Sequence, residues 1–173
     1  MRRPLGVVLF GARGVGKTQM LQQFISDKYP VYTDEFLARK EKLVNHHSFK
    51  EGASLTWHLL DCSGKEEAMS VGEEWFRHAQ WVVLVYDVAN MSSVDFAISK
   101  AKAVQAAGAT PVLLGNTYNA EKGRRRVAQS VIVDNVMKAK DIAARNGYLS
   151  FEGASLTPIL EFLSEEAERG SRR

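Results

Sequence analysis

The segment LGVVLF (residues 5–10) runs without a break into GARGVGKT (Gly11–Thr18), which in turn opens KTQMLQQFISD (17–27). A run as apolar as the first reads as a strand buried on both faces. The third segment sets Met20, Leu21, Phe24 and Ile25 on one face of a helix. Strand, glycine-rich loop and helix in direct succession make a βα unit, whose next parallel strand has to be reached by a crossover. The remainder keeps that alternation. SLTWHLLD (54–61), WVVLVYD (81–87), TPVLLGN (110–116) and YLSFEGA (148–154) read as strands. SVDFAISKAKAVQAAG (93–108), VDNVMKAKDIAARNG (133–147) and LTPILEFLSEEAERG (156–170) read as helices, the first two stopping at glycine. FLARKEKLV and SLTWHLL form an expected hairpin over 36–60, joined through the turn-rich NHHSFKEGA.

A length of 173 residues suits one domain, expected over 1–173, with a sizeable core. One cysteine, Cys62, excludes an intramolecular disulfide and fits a reducing compartment. No apolar run reaches the length of a membrane span, and neither end carries a lipidation signal, so a cytoplasmic protein is expected, recruited to a membrane or assembly only through a partner. The hexapeptide EGASLT occurs at 51–56 and at 152–157, in different expected contexts, and is read as coincidence.

GARGVGKT satisfies G-x-x-x-x-G-K-[ST] in the strand–loop–helix setting that such a match requires. Gly11, Gly14 and Gly16 let the backbone curl until successive N–H groups converge on phosphate oxygens, and the helix N-terminus adds its dipole. The phosphate-binding stretch is taken as Gly11, Arg13, Gly14, Val15, Gly16, Lys17, Thr18 and Gln19. Lys17 is placed to reach the outer phosphates of a nucleoside di- or triphosphate, and the Thr18 hydroxyl to ligate Mg²⁺. Further on, LLDCSGKEE (59–67) ends a strand in Asp61 and places Gly64 three residues later. Such an aspartate can hold Mg²⁺ through water, and a glycine N–H can approach the terminal phosphate.

With these two motifs in order, the chain resembles the Ras superfamily of small GTP-binding proteins, and its Rab branch in particular. DEFLARKEKL (34–43), WFRHAQWVVLVYDVANMSSVDF (75–96) and DIAARNGYLSFEGAS (141–155) carry the rest of the likeness. The resemblance implies a P-loop NTPase α/β fold, a six-stranded, mostly parallel sheet flanked by about five helices. It implies GTP or GDP and Mg²⁺ as ligands, and effector proteins as partners.

Departures from the family pattern are specific. Lys65 stands where the family has the glutamine that orients the attacking water; an ammonium has three donors and no acceptor. No catalytic residue is therefore assigned. Arg13 replaces a small residue, and three outcomes stay open: it crowds the terminal phosphate, acts as an arginine finger in cis, or points to solvent. Val31 falls where the Mg²⁺-ligating threonine belongs, leaving Thr33, two residues on, as the substitute if the loop shifts. Leu60 occupies the place of a tryptophan on the Rab effector surface, although Phe36 matches an aromatic one.

On the base side, GNTYN (115–119) falls on the N-K-x-D motif. Asn116 matches, Thr117 replaces the lysine that packs over the base, and Asn119 replaces the aspartate that accepts both N–H groups of guanine. An amide offers one acceptor and one donor group, so a mismatch with guanine is expected to cost about 1–3 kcal/mol. An Asn suits xanthine better, and Glu121 is an alternative source of the missing carboxylate if the loop rearranges. Ala154, Ser155 and Leu156 stand for the last base-side loop, and Tyr29 lies near the family's ring that stacks on the base. Guanine with weakened selectivity is the expectation.

Other features carry blander readings. His46-His47 are expected in a solvated turn, KGRRR (122–126) as a charged loop without specific nucleic-acid binding, and Trp57, Trp75 and Trp81 as packing residues, with a partner-facing position the alternative for Trp75. Two functions follow: an atypical Rab-like GTP-binding protein that hydrolyses GTP slowly if at all, or a pseudo-GTPase that serves as a protein-interaction module. A third, an ATPase or nucleotide kinase, lacks any visible acceptor-site or lid segment.

Overall fold

In the computed structural model, residues 5–28, 44–51, 55–62, 73–121 and 127–171 are described. Six strands form one sheet: β1 (Leu5–Phe10), β2 (Val44–Glu51), β3 (Leu55–Cys62), β4 (Trp81–Asp87), β5 (Thr110–Asn116) and β6 (Leu149–Gly153), in the spatial order β2-β3-β1-β4-β5-β6. β2 is antiparallel to β3, and every other neighbouring pair is parallel. Among the described residues the helices are α1 (Lys17–Lys28), α2 (Met91–Ala106), the single turn α3 (Tyr118–Glu121), α4 (Gln129–Asn146) and α5 (Thr157–Ser171), with a 3₁₀ turn at Trp75–His78. The expected six-stranded, mostly parallel sheet with about five helices is the fold observed.

The central strands are buried on both faces because their side chains alternate between two cores. Val7, Leu9, Val83, Val85, Val112 and Leu114 pack with Met20, Leu21, Phe24 and Ile25 of α1 and with Ile159, Leu160 and Leu163 of α5. Their neighbours Val8, Phe10, Val82, Leu84 and Leu113 face the other way, onto Val94, Ala97, Ala101 and Val104 of α2 and Ala139 and Ala143 of α4. Phe76, from the 3₁₀ turn, meets Phe10 edge-on with ring centroids 5.1 Å apart.

The strand order reverses around β1. The chain leaves β1, builds β3 on one side of it, and then crosses to β4 on the other. The carboxyl end of β1 is thus a topological switch point, where the diverging connections leave a crevice.

Two helix starts shift by more than one residue, for local reasons. α2 begins two residues earlier than the sequence pattern suggests, because Asn90 caps it: Asn90 Oδ1 accepts from the N–H groups of Ser92 (3.1 Å) and Ser93 (3.4 Å). α4 begins at Gln129, four residues before the expected Val133, and stops where Gly147 adopts the left-handed conformation (φ 72°). The hairpin requires a correction. Its first strand is VNHHSFKE itself, the segment expected to be the turn, and the connection falls at 52–54. His46 and His47 are strand residues, opposite Leu60 and Leu59. The expected strand residues 36–43 lie outside the described residues.

Candidate functional site

At the switch point the loop Gly11–Gly16 is shaped by what surrounds it. A β-carbon on Gly11 would lie 2.3 Å from the Val85 carbonyl oxygen of β4, so only glycine lets the chain turn off β1 there. Gly14 (φ 82°) and Gly16 (φ 91°) hold the left-handed backbone that turns the loop over into α1. A β-carbon on Gly16 would also meet Asn116 Nδ2 at 2.6 Å. Val15 is buried and pins the loop to the core shared with α1 and α5.

Lys17 is buried, and its ammonium folds back across the loop, donating to the carbonyls of Gly11 (2.8 Å) and Ala12 (3.1 Å). Arg13, Gly14, Thr18 and Gln19 are exposed along the rim. A buried ammonium beside a glycine-curled loop at the start of a three-turn helix is a donor set without a side-chain acceptor among Gly11–Lys17, chemistry that fits a phosphate group. For Mg²⁺, the hydroxyl of Thr18, an exposed residue, is one candidate ligand. Asp61 lies near the carboxyl end of β3, opposite Leu9 of β1, which sets it one strand away from the loop. Tyr29, Thr33, Gly64 and Lys65 lie outside the described residues, as do Val31 and Phe36.

The base-side residues come from the next strand ends. Asp87, Asn116 and Gly153 are in register across β4, β5 and β6. Asn116 is buried; its Nδ2 donates to the Val15 carbonyl at 2.8 Å and its Oδ1 accepts from the Tyr118 N–H at 3.0 Å. One side chain therefore ties the glycine loop to the start of α3. Thr117 donates from its N–H to the Gly153 carbonyl (3.3 Å) and from its hydroxyl to Glu121 Oε1 (2.9 Å). Asn119 Nδ2 donates to Asp87 Oδ2 at 3.0 Å. Beyond β6, Ala154 is half-buried and Ser155 exposed, with Ser155 Oγ accepting the Thr157 N–H (3.3 Å), and Leu156 is buried in the core.

Asp87 is the residue that motif reading passed over. It ends an apolar strand and is fully buried, and its Oδ1 accepts the Ala89 N–H at 2.9 Å. An acid closing a run as apolar as WVVLVY was the available signal.

A lysine-bearing glycine loop at the switch point of a mostly parallel sheet, with an asparagine strand end bonded to it, defines the small-GTPase class. The Ras family model matches residues 6–157, and the chain belongs to the Ras family, as a Rab-like member. It is 33% identical over 138 residues to the Ypt/Rab-type GTPase ypt7 of Schizosaccharomyces pombe, covering 73% of this chain and 64% of that protein. It is 30% identical over 159 residues to the Ras-related protein Rab7 of Cenchrus ciliaris, covering 87% and 72% respectively. With the Ras-related protein RABG3d of Arabidopsis thaliana, 28% identity spans 94% of this chain and 82% of that one. The match to the fission-yeast protein thus spans less than two thirds of its length.

Proposed function

We propose that residues 1–173 act as a single-domain, atypical Rab-like GTP-binding protein, holding GTP or GDP with Mg²⁺ and hydrolysing GTP slowly if at all. The observation that carries this reading is the 2.8 Å bond from Asn116 to the Val15 carbonyl, which joins the glycine loop to the base-side strand end in one unit. Lys17 and the loop N–H groups would hold the phosphates, with Thr18 and Asp61 toward the metal. Asn116, Thr117, Asn119 and the Ala154–Leu156 loop would bound the base, with Tyr29 against it and Gly64 near the terminal phosphate. Mg²⁺, when bound, neutralises phosphate charge.

Lys65 in place of an acceptor-bearing glutamine underlies the slow hydrolysis, since a protonated amine cannot orient water by accepting its proton. Rab-type proteins act through effectors, and this chain is read as doing the same from the cytoplasm. Among the described residues no helix is long and apolar enough to cross a membrane.

A second reading, a pseudo-GTPase used as an interaction module, is favoured by one observation. The two substituted base-side residues bond within the protein, Thr117 to Glu121 and Asn119 to Asp87. The test is the nucleotide released on denaturing freshly purified protein, followed by titration with GTP, GDP, ATP and XTP in Mg²⁺. Stoichiometric guanine nucleotide supports the first reading, and a predominance of GTP supports slow turnover. Protein that is empty and binds none of the four at millimolar concentration sinks it in favour of the second.

A further inference from the structure

Asn119 is a poor substitute for a guanine-reading aspartate only if its amide is free to turn either end to the base. The structure removes that freedom. Asp87 Oδ2 lies 3.0 Å from Asn119 Nδ2, while Asp87 Oδ1 is held by the Ala89 N–H at 2.9 Å. A carboxylate only accepts, so the end of the amide facing it has to be the nitrogen. Reversing the amide would set two acceptors against each other and forfeit a hydrogen bond to a charged group, which disfavours the reversed form by on the order of ten- to a hundredfold. The carbonyl oxygen is left at the end directed away from Asp87.

Resting on the nucleotide-binding reading above, we propose that Asp87 is a positioning residue that sets base specificity: it holds Asn119 with its carbonyl oxygen toward the ligand. The position then presents an acceptor, as the family's aspartate does. Guanine, which carries N–H donors at N1 and at the exocyclic amine on that edge, is selected over xanthine, which has a carbonyl where guanine has the amine. Selectivity is encoded by the pair Asp87–Asn119, thirty-two residues apart, in place of one carboxylate.

The proposal is tested with GDP and XDP titrations, in Mg²⁺, of the native chain and two variants. In Asp87→Asn, the Ala89 N–H keeps the amide oxygen of residue 87 on its side and leaves an NH₂ facing Asn119. Asn119 then reverses and offers its own NH₂ to the base. The native chain is expected to prefer GDP by about tenfold or more, and Asp87→Asn to weaken GDP and strengthen XDP, moving the ratio by about a hundredfold. Equal weakening of both nucleotides, the result of a merely structural role, overturns the proposal.

Asn119→Ala reads the orientation without touching Asp87. Loss of the outward oxygen is expected to weaken GDP about tenfold while XDP holds or improves. A larger loss for XDP means that the nitrogen faces the base, and overturns the proposal even if Asp87→Asn fails to fold. A native chain that binds XDP as well as GDP overturns the proposal alone. A native chain that binds neither overturns the nucleotide-binding reading with it.

Discussion

Asn116 Nδ2 reaches the carbonyl oxygen of Val15 at 2.8 Å, spanning 101 residues of chain between the base-side strand and the glycine loop. The donor is buried, and its closest approach to Gly16 leaves no room for a β-carbon. Asn116→Ala would leave the Val15 carbonyl without this donor, at about 1–3 kcal/mol. It would also free the loop from β5. Chemical denaturation of the variant should show a loss in that range, and nucleotide affinity should fall by more than the stability loss accounts for. Asn116→Asp, which replaces the donor with an acceptor facing a carbonyl, should be at least as damaging.

Lys17 separates binding from folding more cleanly. Its ammonium is buried against two loop carbonyls, and its removal takes away a desolvated charge along with its partners' donor. These terms oppose each other, because burying an ammonium is itself costly. Lys17→Met should therefore change the stability of the nucleotide-free chain by only ~1 kcal/mol in urea unfolding. Its affinity for GDP should drop by on the order of ten- to a hundredfold, the size of a lost charge-assisted hydrogen bond to phosphate.

How much of this was legible in the sequence follows from how far each signal reaches. β4 and β5 fall on their expected residues because apolar runs buried on both faces stand out from their surroundings. β2 does not, because it is an edge strand with one neighbour, and VNHHSFKE has the polar composition that edges carry and turns share. The glycine loop is contiguous and its geometry follows from its own residues. Asp87 and Asn119 are 32 positions apart, and neither residue by itself indicates that one orients the other. The row Tyr86–Gly115–Glu152 across β4, β5 and β6 was equally hidden, since it exists only once the register is known.

Within that row, Gly115 serves packing. A β-carbon there would lie 2.7–2.9 Å from the Tyr86 hydroxyl and ring, and Tyr86 is fully buried. Gly115→Ala should destabilise by about 1–3 kcal/mol through overpacking. Tyr86→Val should also destabilise alone, by leaving a cavity. Combined, the two should cost less than the sum, with a coupling of roughly 0.5–3 kcal/mol in a double-mutant cycle. Strict additivity would show that the contact does not limit the alanine.

Tyr86 also gives the fold an alkaline limit. Its hydroxyl is buried without a hydrogen-bond partner among the described residues, and its pKa is pushed well above the ordinary phenol value, first by burial and then by the neighbouring Glu152 carboxylate. Glu152 is itself 3.1 Å from Lys140 Nζ. The unfolded chain loses the Tyr86 proton near pH ~10, whereas the native state keeps it to higher pH. Above that point the unfolded state binds fewer protons, so stability falls as pH rises, by up to ~1.4 kcal/mol per pH unit for this group. Below pH ~10 both states are protonated and the group contributes no slope. Tyr86→Phe removes the ionisation and the unpaired hydroxyl together. Urea unfolding at a series of pH values should find the variant as stable as the native chain at pH 8, or more stable by about 1 kcal/mol, and progressively more stable by comparison above pH ~10. Parallel curves through the alkaline range would show that Tyr86 ionises as readily in the native state as in the unfolded one.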